Sequence, residues 1–363
     1  MATIQQLRSL GQSLWLDQIS RELLDSGRLA HFIQNLGITG LTSNPTIFEG
    51  AISAGSAYDA DIARLTGLGK SGEAIFLELE MADLRRAADL FRPVHEATQG
   101  VDGWVSLELS PLLAADSKGS IAAAERIYHE AARPNLFIKI PGTPQGLLAI
   151  EESIYRGVPI NVTLLFSREQ YLAAAEAYLR GIERRIAAGR DPRTASVASL
   201  FVSRWDKAIE TAPKPLRNRL GIAIAQRTYR AYRELLASPR WRKLSEAGAM
   251  PQRLLWASTG TKDPEAPDTL YVDALAAPDS IDTLPEKTLL AVGDHGKVTG
   301  VMAADGGDAE KTLAEFTAAG INVEAIAEQL QREGAAAFVK SWNGLMQRIA
   351  DKGGALSRRA ESA

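Results

Sequence analysis

Cysteine is absent from the 363-residue chain, and its absence excludes several kinds of function. No disulfide can form, no thiolate can act as a nucleophile, and no zinc site can use cysteine ligands. A chain without disulfides fits a reducing compartment, so we expect a cytoplasmic protein. The only histidines, His31, His95, His129 and His295, lack the i, i+4 spacing of a metal-binding helix, and we expect no metal.

Long hydrophobic runs and an excess of charge are missing as well. No segment approaches the roughly 18 consecutive apolar residues of a membrane helix, and the amino-terminal segment lacks the apolar centre of a signal peptide. Lys and Arg number 41 against 44 Asp and Glu, which gives a net charge of −3. Because both signs are scattered along the chain, we expect neither a nucleic-acid partner nor a membrane partner.

Short apolar runs alternate with longer helical patterns along the whole chain. This alternation predicts βαβ units and a parallel sheet, and eight such units predict closure into a barrel. The expected fold is a (β/α)8 TIM barrel of the α/β class, with a doubly wound open sheet as the alternative. The runs that we interpret as strands are Ser13 to Asp17, Gly37 to Thr42, Gly103 to Leu109, Leu136 to Ile140, Pro159 to Phe166, Ala195 to Val202, Arg253 to Ser258 and Thr269 to Leu275.

The chain length is compatible with a single domain, because such barrels use about 250 residues and grow by insertion. No Pro-, Gly- or Ser-rich linker marks a boundary, so we interpret residues 1–350 as one barrel domain. Residues 45–100 are too long for one connection and predict a helical insertion after strand 2. Residues 308–350 predict extra carboxyl-terminal helices on the outside of the barrel or across its mouth, followed by a flexible tail at 351–363.

A lysine lies inside one of the apolar runs. The segment 135–146, NLFIKIPGTPQG, places Lys139 near the carboxyl end of the fourth strand. Desolvation can lower the pKa of a lysine enough to leave much of it neutral, and the neutral amine is a nucleophile that forms Schiff bases with carbonyl compounds. The ordinary interpretation is a lysine whose stem packs on the core while its head reaches solvent or a carboxylate. This segment alone leaves both interpretations open.

Polar residues end or follow most of the other strands. In a barrel the chemistry gathers at this end, where inward-facing side chains meet the βα loops. Each residue has an ordinary explanation by itself, since Asp17 can cap a helix and Asn44 is a common turn former. As a group they provide what lysine-based carbonyl chemistry needs: an acid/base, hydrogen-bond partners for hydroxyl groups, and cations for a phosphate. The group is Asp17, Asn44, Glu108, Lys139, Asn161, Thr163, Ser199, Arg204, Ser258 and Lys262.

The motifs around these residues resemble those of the transaldolase family, particularly its long bacterial form. The resemblance covers about residues 14–296, and a collinear series of this kind favours the catalytic interpretation of Lys139. The motifs are LWLD at Asp17, GLTSNPTIF at Asn44, SLELSP at Glu108, FIKIPGTPQG at Lys139, INVTLLFS at Asn161 and Thr163, SLFVSRWD at Ser199 and Arg204, LWASTGTK at Ser258, and the segment 271–296.

The resemblance implies a class I aldolase mechanism without a metal or an organic cofactor. Lys139 would form a Schiff base with fructose 6-phosphate or sedoheptulose 7-phosphate and pass a dihydroxyacetone unit to an aldose phosphate, a reaction of the pentose phosphate pathway. Asp17 would be the acid/base at the hydroxyl group released when the carbon–carbon bond breaks. Glu108 and Thr163 would hold the water molecule that moves protons.

The same resemblance implies how the substrate is bound. Asn44, Asn161 and Ser199 are expected to bind the hydroxyl groups of the dihydroxyacetone unit. Arg204 and Ser258 are expected to bind the phosphate. Small-molecule sugar phosphates are therefore the expected partners.

The chain departs from the family at one position. Many members have an arginine two residues after the serine that corresponds to Ser258, whereas this chain has Gly260. Lys262 is the candidate for the missing cation, because lysine binds phosphate as a point charge. The sequence leaves open the preferred sugars and the choice between monomer and homodimer. It also leaves two alternatives on the same fold: an aldolase that releases free dihydroxyacetone, like fructose-6-phosphate aldolase, and a barrel that binds sugar phosphates without turnover.

Overall fold

A computed structural model describes residues 2–361 of the chain. Its eight strands are all parallel and close into one barrel in sequence order, which confirms the predicted (β/α)8 fold and excludes the open sheet. The strands are β1 Ser13–Asp17, β2 Gly40–Thr42, β3 Trp104–Glu108, β4 Leu136–Pro141, β5 Ile160–Leu165, β6 Ser196–Phe201, β7 Gln252–Ala257 and β8 Ser280–Leu284.

Helices surround the barrel and connect its strands. Several begin at a side chain that accepts a hydrogen bond from the first turn, as Thr143 does from the backbone of Gly146. Within residues 2–361, no helix is both long enough and apolar enough to cross a bilayer. The helices are α1 Ala2–Ser9, α2 Arg21–Asp25, α3 Arg28–His31, α4 Pro45–Ser53, α5 Asp59–Gly67, α6 Gly72–Ala97, α7 Ser117–Ala131, α8 Pro144–Arg156, α9 Arg168–Ala187, α10 Ser203–Ala208, α11 Leu220–Ala237, α12 Pro239–Glu246, α13 Leu270–Ala274, α14 Glu286–His295, α15 Ala309–Ala318 and α16 Val323–Glu361.

One predicted strand is wrong. Residues Thr269 to Leu275 contain helix α13, and the last barrel strand is β8. The short helix α13 resembles a strand in sequence because its buried residues, Tyr271 and Val272, form an apolar run. The true strand, SIDTL, alternates poorly because its polar side chains are buried within hydrogen bonds to neighbouring segments.

The closed sheet has an aromatic filling on the inside. The rings of Trp15, Trp104 and Phe137 come from β1, β3 and β4, and Phe137 stacks on Trp104 at 4.1 Å and on Trp15 at 6.2 Å between ring centroids. All three rings are buried. Gly40 of β2 lies opposite Trp15 in the strand register, and a Cβ atom there would be 2.4 Å from the indole ring. Glycine at this position therefore makes room for the ring.

The helical segments outside the basic barrel pack on one another. Helices α4, α5 and α6 occupy the segment interpreted as an insertion, and α16 packs against all three. The ring of Trp342 on α16 meets the edge of Phe76 on α6, with 5.4 Å between the ring centroids. Gln331 of α16 donates hydrogen bonds to the carbonyl oxygens of Gly142 and Leu164, which lie just after β4 and near the end of β5. Helix α16 therefore crosses the carboxyl-terminal mouth of the barrel.

The carboxyl-terminal end of the chain is more regular than the sequence suggested. Helix α16 continues through residues 351–361, where we expected a flexible tail, and residues 362 and 363 lie outside the described part of the chain. In the segment before residue 351, the side chains of Phe316 and Leu330 are buried and those of Ile321 and Ile326 are partly buried.

Gly40→Ala tests the fit between β2 and the interior aromatic rings. The added methyl group would overlap the Trp15 ring, so we expect the free energy of unfolding to fall by about 3 kcal/mol. Gly50→Ala is the matched control, because Gly50 lies in α4 with no atom within 4 Å of an added Cβ. Alanine should raise the stability of that helix by about 0.5 to 1 kcal/mol. Urea denaturation measures both, and equal stabilities would contradict the proposed clash.

Candidate active site

A cavity of about 280 Å³ opens at the carboxyl-terminal mouth of the barrel. Most of the predicted site residues line it, and Glu108 and Asn161 adjoin it through contacts with Lys139 and Ser199. Helix α16 contributes Phe338 to the wall. The predicted residues that line the cavity are Asp17, Asn44, Lys139, Thr163, Ser199, Arg204, Ser258 and Lys262.

Strand register explains why these side chains meet. In the parallel pairing, Glu108 of β3 lies opposite Lys139 of β4, and Lys139 lies opposite Asn161 of β5. Side chains opposite one another on adjacent strands point to the same face, so all three belong to one layer on the inside of the barrel. Asp17 and Thr42 form the corresponding pair at the ends of β1 and β2.

Lys139 is held at the centre of this layer. Its side chain is 6% exposed, and its Nζ donates a hydrogen bond of 3.0 Å to the carbonyl oxygen of Ser43. The same Nζ lies 2.9 Å from Oε2 of Glu108, whose side chain is 5% exposed. Strand β2 ends at Thr42, so the Ser43 carbonyl is left free of the sheet and can accept from the lysine. The amine therefore lies between a carboxylate and a carbonyl oxygen, with the cavity on its open side.

Two carboxyl groups lie in the field of this lysine. Burial raises the pKa of both Asp17 and Glu108, while the charge of Lys139 acts in the opposite direction on each. Thr42 donates a hydrogen bond of 2.6 Å to Oδ1 of Asp17, which also opposes the rise. The hydroxyl group of Thr42 lies 2.8 Å from that of Thr283 on β8. A chain of two threonines therefore orients the Asp17 carboxyl group.

Amide and hydroxyl groups form the floor of the cavity. Asn161 is fully buried; its Nδ2 donates to Oγ of Ser106, and its Oδ1 accepts a hydrogen bond of 2.7 Å from Oγ of Ser199. Asn161 thereby orients Ser199, which reaches the cavity itself. Asn44 caps α4 by accepting a hydrogen bond from the backbone of Ile47, which leaves its amide NH₂ group available for another partner.

Two basic side chains, Arg204 and Lys262, face the cavity. The guanidinium of Arg204 lies 5.0 Å from the centre of the Phe201 ring. Within the part of the chain that the structure describes, neither the guanidinium of Arg204 nor the amine of Lys262 forms a hydrogen bond or an ion pair with another residue. Burial lowers the pKa of both groups, and the charge of Arg204 lowers that of Lys262 further. A Cβ atom at Gly260 would lie 3.8 Å from Nζ of Lys262, so the lysine amine occupies the surroundings of position 260.

Several site residues were missed by the sequence analysis. Thr42 and Ser43 lie within the GLTSNP motif, which points to them, whereas Thr283 lies in β8, which the sequence does not predict as a strand. Glu80 of α6 is buried with a pKa well above its ordinary value, mainly because of burial, and the charge of Glu108 contributes further. Nothing in the helical pattern of the insertion indicates that this side chain approaches the site. The same holds for Phe338 on α16.

The geometry of the site indicates the class of protein. A buried lysine amine beside a carboxylate, at the mouth of a (β/α)8 barrel, suits an enzyme that acts on carbonyl groups. Unpaired cations in the same cavity suit a phosphorylated substrate. Among residues 2–361, no cluster of three or more His, Asp or Glu side chains is arranged to bind a metal ion.

The chain belongs to the transaldolase/fructose-6-phosphate aldolase family, whose model matches residues 14–349. This match confirms the resemblance inferred from the motifs. A transaldolase of Thermobifida fusca is 45% identical over 359 residues, covering 96% of this chain and 98% of the relative. A transaldolase of a Parafrankia strain is 43% identical, covering 95% of this chain and 96% of the relative. Transaldolase 2 of Nostoc punctiforme is 40% identical, with 96% of each chain covered.

Asp17→Asn tests whether the folded protein raises the pKa of Asp17, because such a rise makes the free energy of unfolding depend on pH. The folded protein holds the Asp17 proton to a pH above the ordinary value of 3.8, whereas the unfolded chain releases it near that value. The contribution of Asp17 to stability therefore falls as pH rises from about 3.8 to the raised pKa. Asparagine removes that loss while keeping an oxygen for Thr42.

We expect Asp17→Asn to be more stable than the wild type at pH 7, with an advantage that shrinks toward pH 4. Urea denaturation at a series of pH values measures this difference. An advantage that does not change with pH, or a less stable variant at pH 7, would show that the folded protein does not raise the pKa of Asp17.

Proposed function

We propose that this chain is a transaldolase that transfers a dihydroxyacetone unit from fructose 6-phosphate or sedoheptulose 7-phosphate to an aldose phosphate. Erythrose 4-phosphate and glyceraldehyde 3-phosphate are the proposed acceptors. The observation that carries the proposal is the environment of the Lys139 amine. This amine is buried, its Nζ lies 2.9 Å from Oε2 of Glu108, and two cations without an ion-pair partner line the same cavity. The relatives named transaldolase, at 40% to 45% identity over nearly the full length, support the same reaction.

The first step of the proposed reaction is attack of the Lys139 amine on the C2 carbonyl of the ketose. Attack requires a neutral amine, and Glu108 is placed to take the ammonium proton. Burial, which raises the pKa of Glu108, makes this carboxylate a better acceptor for that proton. The addition gives a carbinolamine, which loses its hydroxyl group as water when a proton is returned, and the protonated Schiff base remains.

Proton transfer in this step is assigned to a water molecule held by Glu108 and Thr163. Oγ1 of Thr163 is a buried oxygen atom without a hydrogen-bond partner among residues 2–361. Oε2 of Glu108 is buried as well, and its ion pair of 2.9 Å with Nζ of Lys139 leaves it lone pairs for a further contact. Buried polar atoms normally have such a partner, so both oxygens have free hydrogen-bonding capacity toward a bound water molecule or substrate. This supports the pairing of the two residues that the family resemblance implied.

Asp17 is proposed to act in the second step. It removes the proton from the C4 hydroxyl group, the C3–C4 bond breaks, and its electron pair moves toward the iminium nitrogen to give an enamine on Lys139. The aldose phosphate leaves with a new carbonyl group. Reaction with the acceptor aldehyde runs the same steps in reverse, and Asp17 returns the proton. Burial raises the pKa of Asp17, which makes its carboxylate a better acceptor for this proton than an ordinary aspartate, and the resulting carboxylic acid can return the proton to the acceptor.

Specific hydrogen bonds would retain the three-carbon unit between the two half reactions. Ser199 donates to Asn161 and keeps its lone pairs free for a substrate hydroxyl group, while the NH₂ group of Asn44 can donate to another. Arg204, Ser258 and Lys262 are proposed to bind the phosphate. Many family members have an arginine at the position of Gly260. The amine of Lys262 lies beside this position, so Lys262 would supply the positive charge in place of that arginine. We place the enzyme in the pentose phosphate pathway of the cytoplasm.

Trapping with borohydride tests the covalent step. We expect reduction in the presence of fructose 6-phosphate to leave a dihydroxyacetone adduct on Lys139, located by peptide mass mapping, with no adduct and no turnover in Lys139→Met. The control is Lys262→Met, which should still be trapped on Lys139. Absence of an adduct in the wild-type protein would favour the barrel that binds sugar phosphates without turnover. Turnover that does not depend on added erythrose 4-phosphate would favour the aldolase alternative.

Lys262→Met tests the proposed phosphate cation. Loss of a charged hydrogen bond to phosphate should raise KM for fructose 6-phosphate by roughly 10- to 100-fold, with kcat nearly unchanged. Lys207→Met is a matched control, since Lys207 is paired with Glu210 on the exposed surface. Steady-state kinetics distinguishes the two variants. The assignment fails if Lys262→Met and Lys207→Met have the same KM.

A further inference from the structure

The loop after β7 carries three residues of the cavity wall. We name residues 258–262 the phosphate loop; its Ser258, Gly260 and Lys262 all line the cavity. Ser258 has φ of +55°, a left-handed conformation that is unfavourable for a residue with a Cβ atom. The backbone N–H of Ser203 donates a hydrogen bond of 3.0 Å to the carbonyl oxygen of Ser258, and the hydroxyl groups of the two serines lie 3.0 Å apart. A loop in this conformation needs restraint on its other side.

That restraint comes from a buried pair outside the cavity. Thr259 is fully buried, and its hydroxyl group donates to Oδ1 of Asp282 at 2.9 Å and lies 3.2 Å from the carbonyl oxygen of Thr283. Asp282 belongs to β8 and is fully buried, and its Oδ2 has no hydrogen-bond partner among residues 2–361. Neither Thr259 nor Asp282 lines the cavity.

A buried carboxyl group is unfavourable unless its hydrogen bonds are made. The hydroxyl group of Thr259 is the only side-chain partner of Asp282 within residues 2–361. The side-chain hydrogen bond of this carboxyl group thus goes to Thr259, the second residue of the phosphate loop.

We propose that Asp282 and Thr259 are positioning residues that fix the phosphate loop with Ser258 and Lys262 facing the cavity, and thereby set the affinity for the phosphate group of both substrates. The proposal rests on the proposed function for its substrates. It concerns how phosphate is bound, which can be measured without turnover. The expected consequence is an effect on phosphate recognition that spares the chemistry at Lys139.

Matched variants distinguish the effect of losing the hydrogen bond from the effect of changing the side-chain volume. Thr259→Val keeps the shape and removes the hydroxyl group, whereas Thr259→Ser keeps the hydroxyl group. Asp282→Leu removes the acceptor, whereas Asp282→Asn keeps an acceptor oxygen. Burial raises the pKa of Asp282 to about 8, so the native carboxyl group is largely protonated at pH 7 and asparagine is a close neutral replacement.

The first measurement is calorimetric titration of the intact protein with inorganic phosphate. We expect Thr259→Val and Asp282→Leu to weaken phosphate binding about tenfold, which corresponds to the loss of one hydrogen bond. Thr259→Ser and Asp282→Asn should stay within about twofold of the wild type. The double variant Thr259→Val/Asp282→Leu should be no weaker than either single variant, because both remove the same interaction.

The second measurement compares fructose 6-phosphate with unphosphorylated fructose. In Thr259→Val, KM should rise about tenfold for fructose 6-phosphate, with kcat and the kinetics of fructose unchanged. Unchanged phosphate binding in Thr259→Val, an equal loss with both sugars, or a wild-type protein that binds no phosphate would overturn the proposal. If Thr259→Val fails to fold, reduced phosphate binding in Thr259→Ser or Asp282→Asn would overturn it instead. A wild-type protein that binds phosphate but gives no borohydride adduct would contradict only the proposed function.

Discussion

The ion pair between Lys139 and Glu108 is the interaction on which the rest of the structure depends. Removing two charges from water is unfavourable, and their attraction offsets that penalty only when the geometry is good. Here the two groups are 2.9 Å apart and the lysine has one further acceptor, the carbonyl oxygen of Ser43. Because the two groups are in contact, transfer of one proton from the amine to the carboxylate makes both groups neutral without a change in the backbone. In the proposed reaction, this proton transfer provides the neutral amine.

The barrel maintains this pair because adjacent strands fix it from both sides. Glu108 and Lys139 are opposite one another in the register of β3 and β4, so the sheet holds the two side chains next to each other on the same face. Below them the stacked rings of Trp104 and Phe137 fill the interior and close the barrel toward its amino-terminal end. Substrate can therefore approach the amine only from the mouth, where the carboxylates and cations are placed.

The sequence predicts the fold well where burial follows a simple period. Seven strands are predicted at the right places because apolar runs mark them, and most of the polar residues near the ends of those runs line one cavity. The prediction failed at β8, whose buried Asp282 and Thr283 interrupt the apolar pattern and depend on hydrogen bonds to distant segments for their burial. It also missed Glu80 and Phe338, which reach the site from helices. Periodicity shows that a helix has a buried face and does not show what that face contacts.

Helix α16 has a consequence for the order in which the protein is completed during translation. Phe338 contributes to the cavity wall, and Gln331 ties the helix to the ends of β4 and β5, yet both are synthesised after all eight strands. A nascent chain can thus contain every barrel strand, including the reactive amine, while its mouth is still open to the surrounding water. Enclosure of the cavity around Lys139 is, in this fold, the last property to be acquired as the polypeptide emerges from the ribosome.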